Sequence, residues 1–246
     1  MKTGQPADIQ VLFIDKALLV VNKPSGLATL PDGYNPSLPH IKSVLEQQYG
    51  PLWIVHRLDK DTSGVLLLPR SAEAHRSLNT QFEKHLVSKV YHALVIGKPE
   101  WQEKTVSLPL RPNGDRQHRT VIDQLHGKPA ITHLRILESF SHDCLVEAIP
   151  ETGRTHQIRA HLFALGLYII GDKLYSRRIS LKDAEKEHPP QSQNVSLIRL
   201  DAGMGLHAWS LEITHPLTGE RMKFTAPYPI ELMVVLQRVR LPASGG

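Results

Sequence analysis

Two carboxylates, Asp59 and Asp61, stand two residues apart in the run His56-Arg57-Leu58-Asp59-Lys60-Asp61-Thr62-Ser63-Gly64. Paired acids suit acid–base or nucleophilic chemistry, in which one carboxylate attacks or takes a proton beside a differently charged neighbour. The run is flanked by short apolar stretches at 53–55 and 65–68, which read as buried strands and would deliver the polar groups rigidly to one place. The same residues also describe a plain turn, because Asp, Thr, Ser and Gly bond their own backbone. A second dense stretch, residues 151–162, carries Arg154, His156, Arg159 and His161. The two histidines are five apart, unlike the four-residue spacing of a helical zinc pair, so no metal is expected there. Thr155 is placed to cap a helix with Ile158, Leu162 and Leu165 on its apolar face and Gly166 at its end, which sets Arg159 in the first turns. Lys23, before Pro24-Ser25-Gly26, either contacts a phosphate or is an exposed charge on a turn, the simpler reading. Tyr91, in a β-rich segment, is either core or a platform on which a displaced base stacks.

These groups need a scaffold, and the apolar periodicity supplies one. Strands are expected at 11–14 and 17–21, a helix over 38–48 with Ile41, Val44 and Leu45 inward, and a helix capped by Ser71 and running to about residue 85 with Ala74, Leu78 and Phe82 on one face. Strands follow at 87–96, 131–140 and 145–149, then a hairpin of 206–214 with 222–226, and a closing amphipathic helix at 230–239. Residues 108–128 concentrate Arg111, Arg116, His118, Arg119, His126 and Lys128 and read as an extended basic loop or hairpin: a solvated excursion or a nucleic-acid contact. Residues 176–205 read as loop.

Composition narrows the class. At 246 residues and 41% hydrophobic the chain can bury one full core, and its net charge of +5, with 14 histidines, favours polyanionic partners. The lone Cys144 lies in an apolar run and can form no internal disulfide, which suits a reducing compartment. No signal-like or membrane-spanning apolar stretch is visible, so a soluble, cytoplasmic protein is expected.

The order of the motifs is more specific than any one of them: Asn22-Lys23-Pro24-Ser25-Gly26, His56-Arg57-Leu58-Asp59 with Thr62-Ser63-Gly64, Lys89-Val90-Tyr91-His92-Ala93-Leu94-Val95, then Gly153-Arg154-Thr155-His156-Gln157-Ile158-Arg159, with Gly171-Asp172, Leu206-His207-Ala208-Trp209 and His215-Pro216 beyond. Over roughly residues 9–232 this resembles the RluA-type pseudouridine synthases. The resemblance implies an isomerase that flips a uridine out of structured RNA, ribosomal and/or transfer RNA, breaks its N1 glycosidic bond and remakes the bond to C5. It implies Asp59 as the catalytic carboxylate, acting as nucleophile or by removing a sugar proton, Tyr91 as the aromatic on the target base and possible relay for the C5 proton, and Arg159 as the partner that keeps Asp59 ionised away from water. Arg57 would fill the vacated space in the RNA, and Arg154, Arg116 and Arg119 join it as RNA contacts. His56 would brace the loop and Asp61 would belong to it. No cofactor or metal is implied.

The expected fold is α+β: one pseudouridine-synthase-like domain over residues 9–240, with a mixed, largely antiparallel curved sheet, flanking helices, a central cleft, and flexible tails at 1–8 and 241–246. The chain looks like a short, monomeric member lacking an S4 domain. Two rivals make different predictions: a glycosidase-like hydrolase with Asp59 and Asp61 as its acids would release free base or sugar, and an RNA-binding protein without catalysis would have no use for an aspartate facing a polyanion.

Overall fold

The computed structural model describes residues 9–31, 33, 35–175 and 203–240; the expected tails and most of the expected loop at 176–205 lie outside the described residues. Strands β1 (Gln10–Ile14) and β2 (Leu18–Lys23) form a tight antiparallel hairpin turned by Asp15, whose carboxylate accepts the N–H groups of Ala17 and Leu18 at 2.7 Å. β2 pairs antiparallel with β3 (Ser63–Pro69), from Leu18 opposite Pro69 to Lys23 opposite Gly64. Alternate side chains leave opposite faces of these strands. Leu19, Val21, Leu66 and Leu68 therefore meet Ile41 and Leu45 of helix α1 (Ile41–Tyr49), while Leu18, Val20, Val65 and Leu67 meet Ala74 and Leu78 of helix α2 (Ala72–Glu83). Covered on both faces, β3 is buried throughout, which is why it reads as an unbroken apolar run. Each fully buried leucine there contributes about 1.5–3 kcal/mol.

The second half repeats the layering. Strands β4 (Ser88–Ile96), β5 (Glu103–Ser107), β8 (Ile131–Ser139) and β9 (Asp143–Pro150) continue the sheet, and β6 (Leu110–Arg111) with β7 (Val121–Ile122) make a small separate hairpin. Ala93, Val95, Cys144 and Val146 pack on helix α3 (Gln157–Ala164), and Leu94 and Leu145 on helix α4 (Ile230–Arg240). Strand β11 (Leu206–Thr214) joins the halves, with β10 (Tyr168–Ile169) beside β4 and β12 (Arg221–Thr225) beside β11. The main order is β1-β2-β3-β11-β4-β9-β8-β5, and every pairing in this sheet is antiparallel except β3 with β11. This is the expected single α+β domain with a mixed sheet between helices.

At the parallel seam Gly64 lies opposite Ala208 with φ +112, and a Cβ on it would stand 2.2 Å from the Ala208 carbonyl oxygen. The glycine that closes the 56–64 motif thus lets the two halves approach. Two expectations need correction, and one strand goes unforeseen. Residues 53–55 are not a strand: Trp53 donates one backbone bond to Pro69, and no ladder follows. Thr155 does not cap α3; the N-cap is His156, in the left-handed region at φ 52, with no side-chain cap. And β5, exposed at the sheet's edge except for Val106, carries too little apolar signal to be foreseen.

Candidate active site

The loop before β3 is clamped from behind by the segment after β2. Lys23 is fully buried, not exposed as its turn setting suggests: its ammonium donates to the carbonyls of Pro24, Leu27 and Lys60 at 2.8, 2.8 and 3.0 Å. Burial pushes its pKa down to about 7 against the opposing charges of Asp61 and Asp59, while three carbonyls match the three protons of the charged form. Gly26 N–H donates to Lys60 O, Ser25 Oγ to Asp61 O, and Thr29 Oγ1 to Leu58 O. Leu58 is buried in the α1 cluster, so its neighbours Arg57 and Asp59 point elsewhere. His56 braces the loop: its Nε2 accepts the Leu67 N–H at 3.0 Å, and its ring stacks on Phe82 at 5.0 Å. Burial pushes its pKa down to about 3, so the ring is neutral.

Asp59 faces the N-terminal turn of α3. Arg159 Nη1 donates to Asp59 Oδ2 at 3.0 Å, and its Nε and Nη2 donate to Asp172 Oδ2 and Oδ1 at 2.7 and 2.8 Å. The guanidinium lies 4.9 Å over the Tyr175 ring. Burial opposes its charge, but Asp172 and Asp59 more than offset this and raise its pKa. Asp172 is also buried, yet Arg159 and the N–H groups of Tyr175 and Leu174 hold its carboxyl below the usual range. Arg159 is thus a fixed cation aimed at Asp59, anchored by a second acid. His156 stands beside it, Nε2 3.6 Å from Asp59 Oδ2 and Nδ1 3.2 Å from the Tyr175 hydroxyl. Tyr91, on β4 between the α1 and α3 clusters, has its phenol pKa pushed up by burial and then by the Asp59 charge, so it keeps its proton at neutral pH.

These groups share a cleft of about 400 Å³, ample for a small ligand. Asp59, Tyr91 and Arg159 line it, Arg57 lies exposed on its lining, and Arg154 and Lys89 border it. Arg116 and Arg119 are not among its lining residues, nor is Asp61. In the β6–β7 hairpin Arg119 is held by Asp115 at 2.6 Å and lies 5.7 Å over Phe163, Arg111 is held by Asp123 at 2.5 Å, and Arg116 is exposed. The region is the hairpin form of the two expected, and two acids within it neutralise part of its charge.

The model of the RNA pseudouridylate synthase family matches residues 17–164. The chain belongs to that family. A ribosomal large subunit pseudouridine synthase D of Nitrosomonas europaea is 36% identical over 96% of this chain and 67% of its own length, and a synthase C of Pasteurella multocida is 39% identical over 94% and 68%. Among solved structures, human RNA pseudouridylate synthase domain containing 4 superposes with a TM-score of 0.74 at 27% identity, covering 96% of this chain and 95% of that one. The protein is an RluA-type synthase, an isomerase that converts uridine to pseudouridine in RNA.

The synthase builds its site with residues that the motif spacing left unexplained. Gln157 and His161, one turn apart, peg α3 to β8: the Gln157 amide donates to Ile131 O and Thr132 Oγ1, and His161 bonds Thr132 Oγ1 and Leu108 O. Ser63 and His207 tie β3 to β11 at 2.9 Å. The four-residue spacing of Gln157 and His161 is a signal that could have found the first pair; nothing local announces Asp172 as the anchor of Arg159.

Proposed function

We propose that this synthase acts on a uridine in large-subunit ribosomal RNA, flipping it from a stem-loop into the cleft and using Asp59 to break its glycosidic bond. The observation that carries the reading is the 3.0 Å contact of Asp59 with Arg159 inside a cleft that Tyr91 also lines. Extrusion costs a few kcal/mol of stacking. Tyr91 offsets it by stacking on the flipped base, and Arg57 by entering the vacancy. Arg159 holds the Asp59 carboxylate in place through its 3.0 Å hydrogen bond as the RNA displaces water, so the carboxylate can act on the ribose, and the freed uracil turns within the cleft and bonds through C5. Arg154 at the cleft and Arg116 and Arg119 on the hairpin hold RNA phosphates. The names of the relatives support ribosomal RNA as the substrate class. The reading includes a monomer working in the cytoplasm.

The hydrolase alternative loses its second acid, since Asp61 does not line the cleft and its backbone carbonyl is engaged by Ser25. Purified protein incubated with unmodified transcripts of large-subunit ribosomal RNA and of transfer RNAs, followed by site mapping, tests the proposal. Pseudouridine in the ribosomal transcript is expected. Pseudouridine confined to transfer RNA would overturn the RNA class, and free uracil in its place would overturn isomerisation.

A further inference from the structure

We propose that His156 is a second catalytic residue, whose Nε2 accepts the proton that leaves C5 of the target uracil. This rests on the reading of Asp59 above and extends it to a step Asp59 leaves open. When the N1 glycosidic bond breaks, its electron pair stays on the uracil. The turned ring then bonds through C5 to C1′, leaving C5 with both the new bond and its hydrogen. The C5–H bond must break, its pair restoring the C5–C6 double bond while N1 takes up a proton. One proton leaves carbon and one arrives at nitrogen, so the step needs a shuttle and no outside reagent. C5 is by then attached to the sugar that Asp59 faces, so the shuttle must lie beside that carboxylate.

Few groups lining the cleft qualify. Tyr91 holds its proton too tightly. The His56 Nε2 lone pair is taken by the Leu67 N–H, Lys89 donates to the Thr152 carbonyl at 3.3 Å, and Glu83 and His85 are exposed at the end of α2. His156 stands 3.6 Å from Asp59, and the Tyr175 hydroxyl bears on its tautomer. With its one proton given to Thr120 O at 3.0 Å and the Thr120 N–H accepted at 2.8 Å, the hydroxyl can only accept from Nδ1. In that arrangement Nδ1 carries the proton, and the neutral ring turns the Nε2 lone pair toward Asp59. Burial keeps the ring neutral: it lowers the pKa, with Arg159 and Arg57 acting the same way and Asp59 and Asp172 against them. Once charged, the imidazolium has the Asp59 carboxylate beside it. The φ of 52, which few residues other than glycine adopt, aims the ring without the compensation of a side-chain cap.

His156→Asn tests this. Asparagine tolerates the left-handed backbone, its amide can replace Nδ1–H as donor to Tyr175, and it has no group at the Nε2 position. Single-turnover rates are compared on RNA carrying 5-protio- or 5-deuterio-uridine. The variant is expected to bind RNA within about twofold of wild type yet react about 10²-fold more slowly, with deuterium slowing it several-fold further while wild type barely responds. His156→Gly, which accepts the same backbone angle, should regain rate when imidazole is added. A His156→Asn protein at wild-type rate, or one slowed without a C5 isotope effect and with no imidazole rescue of the glycine variant, overturns the assignment alone. Wild-type protein that makes no pseudouridine overturns it together with the proposed function.

Discussion

Arg159 is shared between two carboxylates, and only Asp59 opens onto the cleft. Removing the hidden one isolates its part: Asp172→Ala leaves a buried guanidinium half-paired and is expected to lower stability by about 3–5 kcal/mol, read by urea denaturation, and to slow turnover through misplacement of Arg159. The sign of its pH dependence follows from its lowered pKa. The ion pair stabilises fully above the unfolded carboxylate value near 3.9 and is lost as pH falls through the lower folded value, so wild type and Asp172→Ala should converge in strong acid. His156 gives the opposite kind of signature, in rate. Because its pKa lies below 6.5, activity should be flat near neutrality and decline on the acid side, and His156→Asn should lack that limb; a profile unchanged by the substitution would contradict the role. At this scale the sequence makes Asp59, Tyr91 and Arg159 legible because each lies in a dense motif. Lys23 misleads, because Pro-Ser-Gly promises a turn but not that the lysine beside it folds inward onto the Lys60 carbonyl. Asp172 is silent because its partnership with Arg159 spans thirteen residues and a burial no local pattern reports.

Among elements, the seam between β3 and β11 decides whether the site assembles, since it joins the loop of Asp59 to the strand beside Tyr91. Gly64→Ala drives a Cβ into the Ala208 carbonyl from a backbone angle alanine avoids. It is expected to cost about 3 kcal/mol or more, seen as a lower Tm, with activity falling alongside; a variant of unchanged Tm would show that the seam yields. β3 could be read from sequence because helices on both faces demand an apolar residue at every position. β5 could not, because only Val106 of its five residues is buried. Residues 53–55 are apolar enough for a strand yet follow α1 as a half-buried connection, and apolar character alone does not specify a ladder. At α3 a threonine in a plausible cap position loses to His156, whose side chain is wanted by Tyr175 and Asp59.

Across the whole molecule the charge of +5 supplies attraction to RNA, and its distribution supplies register. Arg116 is exposed and Arg119 is committed to Asp115, so the two should behave differently. Arg116→Ala is expected to weaken RNA binding evenly across sequences and reduce the salt slope by about one, leaving the single-turnover rate intact; affinity and slope that do not move would take the hairpin out of the interface. Arg119→Ala frees the Asp115 carboxylate and should weaken binding through the hairpin's shape as well as its charge. The central claim, that Asp59 converts a uridine of ribosomal RNA, is tested most directly by mapping pseudouridine in the RNA of cells lacking this gene, complemented with wild type or with Asp59→Asn. The account predicts a discrete position in large-subunit ribosomal RNA that loses pseudouridine and regains it with wild type alone. Restoration by Asp59→Asn would contradict it.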